Sequence, residues 1–299
     1  PKQLSRRSFL YTVVATSASA LLVPAAGCST TPPPIEMADG KQFFPQSVAS
    51  GDPRADSVVL WTRALNPASP MEPCQIKLQV AADTSFLTVV YDGAPIAVTA
   101  DTDHTLRIKV TGLSPRTTYY YRFLVLRDDV ILTSQLGRTK TAPAASDKVP
   151  VKFAFWSCQD FEGRYYNAWQ RLLSLDEDLD FVLGLGDYIY ETVPAMPMST
   201  PRSVGFADPI GAIQVGKTRL GAQTVGQYRD LYKKYRSDAV LQKVHERYPM
   251  IVIWDDHEYS NDCYGATSTY QNGAASEVNG PRRRNAERAF FEFMPIDDS

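Results

Sequence analysis

Hydrophobic and polar positions along the chain fall into two regimes. From Phe44 to about Ala144 they keep the period of two that a half-buried strand requires. Gln75-Ile76-Lys77-Leu78-Gln79-Val80 and Thr105-Leu106-Arg107-Ile108-Lys109-Val110 switch at every step. Ser57-Val58-Val59-Leu60-Trp61-Thr62 and Tyr119-Tyr120-Tyr121-Arg122-Phe123 add runs of β-branched or aromatic residues, and Gly and Pro punctuate the segments between them. About a hundred residues of this kind predict a fibronectin-III-like β-sandwich over residues 44–144. Gly112-Leu113-Ser114-Pro115-Arg116-Thr117-Thr118-Tyr119 has the form of a tyrosine corner. His104 and Cys74 have no chemical neighbours in this pattern and read as structural.

Past a linker at Thr141–Pro150 the period changes. Val151–Trp156, Phe181–Leu185 and Met250–Trp254 are nearly all-apolar strands, and Tyr165–Leu175 reads as a helix. Thr224 caps a further helix that carries Tyr228, Leu231, Tyr232 and Tyr235 on one side. Residues 192–223 are rich in Pro, Gly, Ser and Thr and read as loop. Apolar strands separated by helices predict an α/β unit with a largely parallel sheet covered on both faces.

Each of those strands runs into polar residues: Ser157-Cys158-Gln159-Asp160, Gly186-Asp187-Tyr188-Ile189-Tyr190-Glu191, and Asp255-Asp256-His257-Glu258. Ligand crevices in open α/β sheets lie at the carboxyl ends of strands, so the three clusters should converge. Together they offer a thiolate (Cys158), carboxylates (Asp187, Asp256) and a phenolate (Tyr190). Oxygen donors with one thiolate suit ferric iron, manganese or calcium better than a structural zinc. His257, beside Asp256, fits a general acid or a phosphate-binding donor rather than a ligand. Singly, Cys158, Tyr190 and His257 would each be an ordinary core residue; their shared placement at strand ends favours chemistry.

Composition narrows the function classes. A chain of 299 residues suggests two domains or one large one. With 31 Lys+Arg, 33 Asp+Glu and no block of five like charges, the composition argues against a nucleic-acid-binding surface working by bulk electrostatics. Four cysteines are too few and too scattered for a disulfide scaffold, and three histidines strain any metal centre built on imidazole alone. Ser5-Arg6-Arg7-Ser8-Phe9-Leu10 and the weakly apolar stretch after it read as a twin-arginine signal over residues 1–27, shorter than the roughly 20 apolar residues of a membrane span. This predicts passage through the twin-arginine export machinery to the periplasm or the cell surface. Cys28 after Ala25-Ala26-Gly27 resembles a lipoprotein cleavage site, with a lipid anchor at Cys28 and ordinary cleavage nearby as equal alternatives. Residues 28–43, with Pro32-Pro33-Pro34, read as a stiff linker.

The motifs resemble the PhoD-type alkaline phosphatases of the calcineurin-like metallophosphatase superfamily. Gln46-Ser47-Val48-Ala49-Ser50-Gly51-Asp52-Pro53 and Ser57–Arg63 carry the likeness in the small domain. Trp156-Ser157-Cys158-Gln159, Gly186–Glu191, Trp254–Glu258 and Asn261-Asp262 carry it in the larger one. The resemblance implies Fe3+ held by Cys158, Asp187 and Tyr190, Asp187 bridging to Ca2+, and Asp256 or its neighbour Asp255 on the second metal. His257 then matches the histidine that contacts the transferring phosphoryl group. Residues 150–299 would be the first part of a metallophosphatase domain, with later His and Asp ligands beyond Ser299. On this expectation the 1–299 stretch alone is nearly inactive, while Glu287, Glu292, Asp297 and Asp298 form a solvated helix face and tail. The implied function is an exported hydrolase of phosphate monoesters or diesters, with residues 192–223 and the Tyr165-Tyr166 pair as candidate substrate walls. The runner-up with the same chemistry is a phosphodiesterase of phospholipid or cell-wall polymer esters. The rival from another class is a non-catalytic envelope binding protein that uses the sandwich.

Overall fold

A computed structural model describes residues 36–127, 130–196, 198–270 and 277–297. The expected leader and Cys28 lie outside them. In the sandwich, Cys74–Ala81 and Thr118–Leu126 pair antiparallel from Ile76↔Val125 to Ala81↔Tyr120. The period of two then sets Ile76, Leu78, Val80, Tyr121, Phe123 and Val125 on one side, where they join Val48, Val58, Leu60 and Val110 in one buried cluster. Burying each large side chain there contributes about 1.5–3 kcal/mol. The tyrosine corner forms: the Ser114 N–H donates to the Tyr119 hydroxyl at 2.9 Å.

The linker is shorter than its composition predicts. Glu36–Asp39 adds a parallel edge strand to Val130–Thr133, and Lys41–Phe43 forms a 3-10 turn that buries Phe43. Four residues are too few to show a period, and the prolines that signal a tether stop at Pro34.

A second sheet has six strands. Phe153–Trp156, Phe181–Gly184 and Met250–Val252 run parallel. The sheet then continues into Val48–Gly51, Ser57–Arg63 and Thr105–Thr111 through the pairing of Met250 with Gly51. The second layer of the sandwich is therefore the continuation of the α/β sheet. Gly51 is required at the junction, since a Cβ there would lie 2.3 Å from the Pro295 carbonyl oxygen and 2.7 Å from that of Met250. Val48, Val58 and Leu60 face the sandwich cluster while Ala49 and Trp61 face the helices. That two-sided burial is why Ser57–Thr62 reads as an unbroken run rather than an alternating one.

Four helices, α1 (Asn167–Leu175), α2 (Val225–Tyr235), α3 (Ala239–Arg247) and α4 (Gly280–Phe293), are described. Thr224 and Gln227 form a capping box on α2, and Asp238 and Asn279 cap α3 and α4. Tyr232 of α2 stacks on Phe293 of α4, with centroids 5.5 Å apart. The expectation of a sheet covered on both faces fails among the described residues. Ala154, Val182 and Met250 pack in the helix-side core, whereas Phe155 is 71% and Ile253 56% exposed on the other side. The sandwich sheet covers that side only over the antiparallel strands.

Two further expectations change. Within 192–223, Thr192–Pro194, Ile213–Val215 and Arg219–Gly221 form a small antiparallel sheet, strands too short to show a period. Glu292 is not solvated: its side chain is 9% exposed and accepts both Arg229, from α2, and Arg288. Asp297 likewise pairs with Lys109 at 2.6 Å, because the chain after α4 folds back along Thr105–Thr111. Asp298 lies outside the described residues.

Candidate metal centre

The register Trp156↔Gly184↔Val252 ends the three parallel strands level with one another, so the residues that follow meet at one edge. Backbone bonds then lace the loops together. Cys158 N–H donates to the Gly186 carbonyl at 3.3 Å, Gln159 N–H to that of Asp187 at 3.1 Å, and Ile253 N–H to that of Gly184 at 3.1 Å. Gly186 has φ +106°, and a Cβ would sit 2.4 Å from the Asp255 nitrogen, so no other residue fits. Cys158 and Asp187 adopt left-handed φ of 59° and 58°. Non-glycine residues pay about 1–3 kcal/mol for that backbone and hold it only where the surroundings fix it.

Glu258 is the fixing group. Fully buried, its carboxylate accepts the N–H of Asp187 at 3.2 Å, of Tyr188 at 2.6 Å and of Asp255 at 2.9 Å. One side chain thereby ties the Gly186–Tyr188 turn to the third strand end. Burial raises its carboxyl to about 7, against the pull of the three N–H donors.

On this frame the Cys158 thiol donates to Asp187 Oδ2 at 3.2 Å, with the Tyr190 hydroxyl beside the sulfur. Asp187, Asp256 and His257 each offer a ligand atom, and these atoms lie within 4.8 Å of one another. Asp187 thus belongs to two donor groups, and its Oδ1 is buried with no hydrogen-bond partner. Burial raises the Asp187 carboxyl, and burial with the charges of Asp187 and Cys158 raises the Tyr190 phenol strongly. A bond with Ser157 lowers the Cys158 thiol, but Asp187 and burial outweigh it and the net shift is upward. Cys158, Asp187 and Tyr190 therefore share one partly buried pocket of acidic groups. The orphaned carboxylate oxygen and the thiol–phenol–carboxylate set fit metal binding.

Of the residues singled out by sequence, Cys158, Asp187, Tyr190, Asp256 and His257 come together. Asp255 does not: its side chain is exposed and outside the donor group. His257 stands closer to a ligand position than expected, since the turn after the third strand aims it back at Asp187. Its Nδ1 is 2.6 Å from Glu191 Oε2, and its ring centroid is 4.2 Å from that of Tyr190. Burial lowers its pKa, but the bond to Glu191 and the charges of Glu191, Asp187 and Asp256 more than offset this and raise it to about 9.

Glu191 and Glu258 are the residues that sequence reasoning left without a role. Glu191, fully buried, accepts from His257, from the Asn261 N–H at 2.8 Å and from the Tyr270 hydroxyl. The available signal was a carboxylate closing the apolar run Tyr188-Ile189-Tyr190. Both members of the proposed wall pair line the cleft beside Cys158 and Tyr190, Tyr166 buried at 8% exposure and Tyr165 exposed at 69%.

The fold has known counterparts. A family model described as PhoD-like phosphatase matches residues 153–299, and one for the PhoD-like phosphatase N-terminal domain matches residues 27–143. Alkaline phosphatase D of Bacillus subtilis (strain 168) is 38% identical over 261 residues, covering 85% of this chain and 41% of that protein. A solved structure of PhoD aligns at 35% identity with a TM-score of 0.71, covering 88% of this chain and 48% of that one. The chain spans less than half the length of these relatives. With both family models matched in chain order and the PhoD fold shared across most of its residues, the chain belongs to the PhoD-like phosphatase family.

Proposed function

We propose that this protein is an exported, metal-dependent hydrolase of phosphate monoesters or diesters. In this reading Cys158, Asp187 and Tyr190 would hold iron, and Asp187 with Asp256 would hold calcium. The observation that carries it is the Asp187 carboxylate, placed between a thiol–phenol group and an Asp–His group with one buried oxygen unpartnered. When bound, the cations neutralise phosphoryl oxygens and acidify a water for in-line attack.

The chain's own residues do the rest. Glu258 holds the Asp187 backbone so that its side chain faces both donor groups. Glu191 accepts a hydrogen bond from His257 Nδ1–H and fixes the ring. The pKa raised to about 9 keeps the imidazole protonated, so that its Nε2–H can serve a phosphoryl oxygen or the leaving alkoxide. The Arg6-Arg7 pair supports twin-arginine export, and Cys28 supports a lipid anchor.

Metal analysis of the purified full-length protein, paired with hydrolysis of p-nitrophenyl phosphate and bis(p-nitrophenyl) phosphate, tests the reading. Bound iron and calcium with turnover of either ester is expected. A metal-free protein inert to both esters would return the binding-protein alternative. Retention of the precursor in the cytoplasm on replacing Arg6 and Arg7 with Lys tests the export route.

A further inference from the structure

A cleft of about 550 Å³ opens beside Cys158 and Tyr190. That is within the roughly 300–1,000 Å³ typical of sites that enclose a small organic ligand, and well beyond what a phosphate group fills. Trp156 and Trp169 line its inner part, and Arg164 and Tyr165 stand at its rim. We propose that this cleft seats the organic group of the ester, a planar ring stacked on Tyr165, which makes Tyr165 a specificity-determining residue. The proposal deepens the phosphoesterase reading and rests on it for the position of the phosphoryl group.

The rim is a built feature. Phe161 and Tyr166 are buried on either side of the Glu162–Tyr165 stretch and anchor it. The guanidinium of Arg202, itself buried and paired with Asp238 at 2.5 Å, lies 3.7 Å from the Phe161 ring centroid, 4.9 Å from that of Tyr166 and 5.3 Å from that of Tyr165. Arg202 also donates to the Phe161 carbonyl at 2.9 Å. Tyr165 is thus backed by an internal cation while its ring stays 69% exposed at the cleft. Arg164 beside it makes only a loose 3.8 Å ion pair with Asp160 and is 76% exposed. An aromatic face with a neighbouring guanidinium favours flat rings over small polyols, because both groups stack.

Non-hydrolysable phosphonates test this on the metal-loaded protein by calorimetric titration. Phenylphosphonate should bind about tenfold more tightly than methylphosphonate, the scale of one added aromatic contact. Tyr165→Ala should erase that preference, while Tyr165→Phe should retain it. Equal binding of the two phosphonates, or a preference that survives in Tyr165→Ala, would overturn the proposal. Octylphosphonate binding more tightly than phenylphosphonate would also overturn it, in favour of an acyl chain. A Tyr165-dependent ring preference in a protein that hydrolyses no phosphate ester would leave the cleft standing and remove the hydrolase reading instead.

Discussion

The thiol of Cys158 and the carboxylate of Asp187, twenty-nine positions apart in the chain, stand 3.2 Å from each other. Neither can relax away, because each sits on a left-handed backbone position laced into the neighbouring loop. A cysteine that only packed would be buried among apolar groups; Cys158 is exposed, beside a carboxylate and a phenol.

Cys158→Ala in the full-length protein should therefore abolish iron binding and turnover without unfolding it. An exposed side chain contributes little packing, so the melting temperature of the metal-free variant should match that of the metal-free parent. Full activity with normal iron would remove Cys158 from the ligand set.

Tyr190→Phe should bleach the protein, since a ferric phenolate absorbs visible light and a phenyl ring cannot bind iron. The visible spectrum of the iron-loaded protein before and after substitution is the check. A colourless iron-loaded parent would exclude Tyr190 as a ligand.

Glu191→Gln should reduce turnover about 10–100-fold, as is usual when a carboxylate that orients a site histidine is lost. His257→Ala should lower it further, by roughly 10²–10⁴-fold, the range for a general acid–base group, with a smaller effect on metal content. Equal loss of metal and rate in His257→Ala would make it a ligand, the role its closeness to Asp187 and Asp256 allows.

The metal-free protein should lose stability between about pH 6.5 and 9. His257 titrates near 9 when folded against an ordinary value of 6.5. Below 6.5 it is protonated in both states and its ion pair with Glu191 contributes in full. As the pH rises toward 9, the unfolded state stops taking up that proton and the contribution drains away. Melting temperature against pH, compared with His257→Gln, isolates the effect; the same slope in both proteins would assign it elsewhere.

Much of this arrangement was legible in the sequence. The alternating and all-apolar runs located the strands that carry both cores, and the polar residues closing three of them located the cluster read here as the candidate site. What stayed hidden depends on contacts between distant segments. The pairing of Met250 with Gly51 fuses the sandwich to the α/β sheet, and nothing local to either residue announces it. Glu191 and Glu258 look like ordinary charged neighbours of reactive residues until the fold buries them against backbone N–H groups and His257. Asp255 and Asp256 are equivalent by spacing, and only the turn after the third strand separates them.

Asp187→Asn offers the most direct test, because Asp187 is the residue common to both donor groups. Metal content and p-nitrophenyl phosphate hydrolysis should be measured on the full-length parent and variant together. The account expects two kinds of metal and turnover in the parent, with loss of both metals and of activity in Asp187→Asn. A variant that keeps either its full metal content or the parent rate would contradict it.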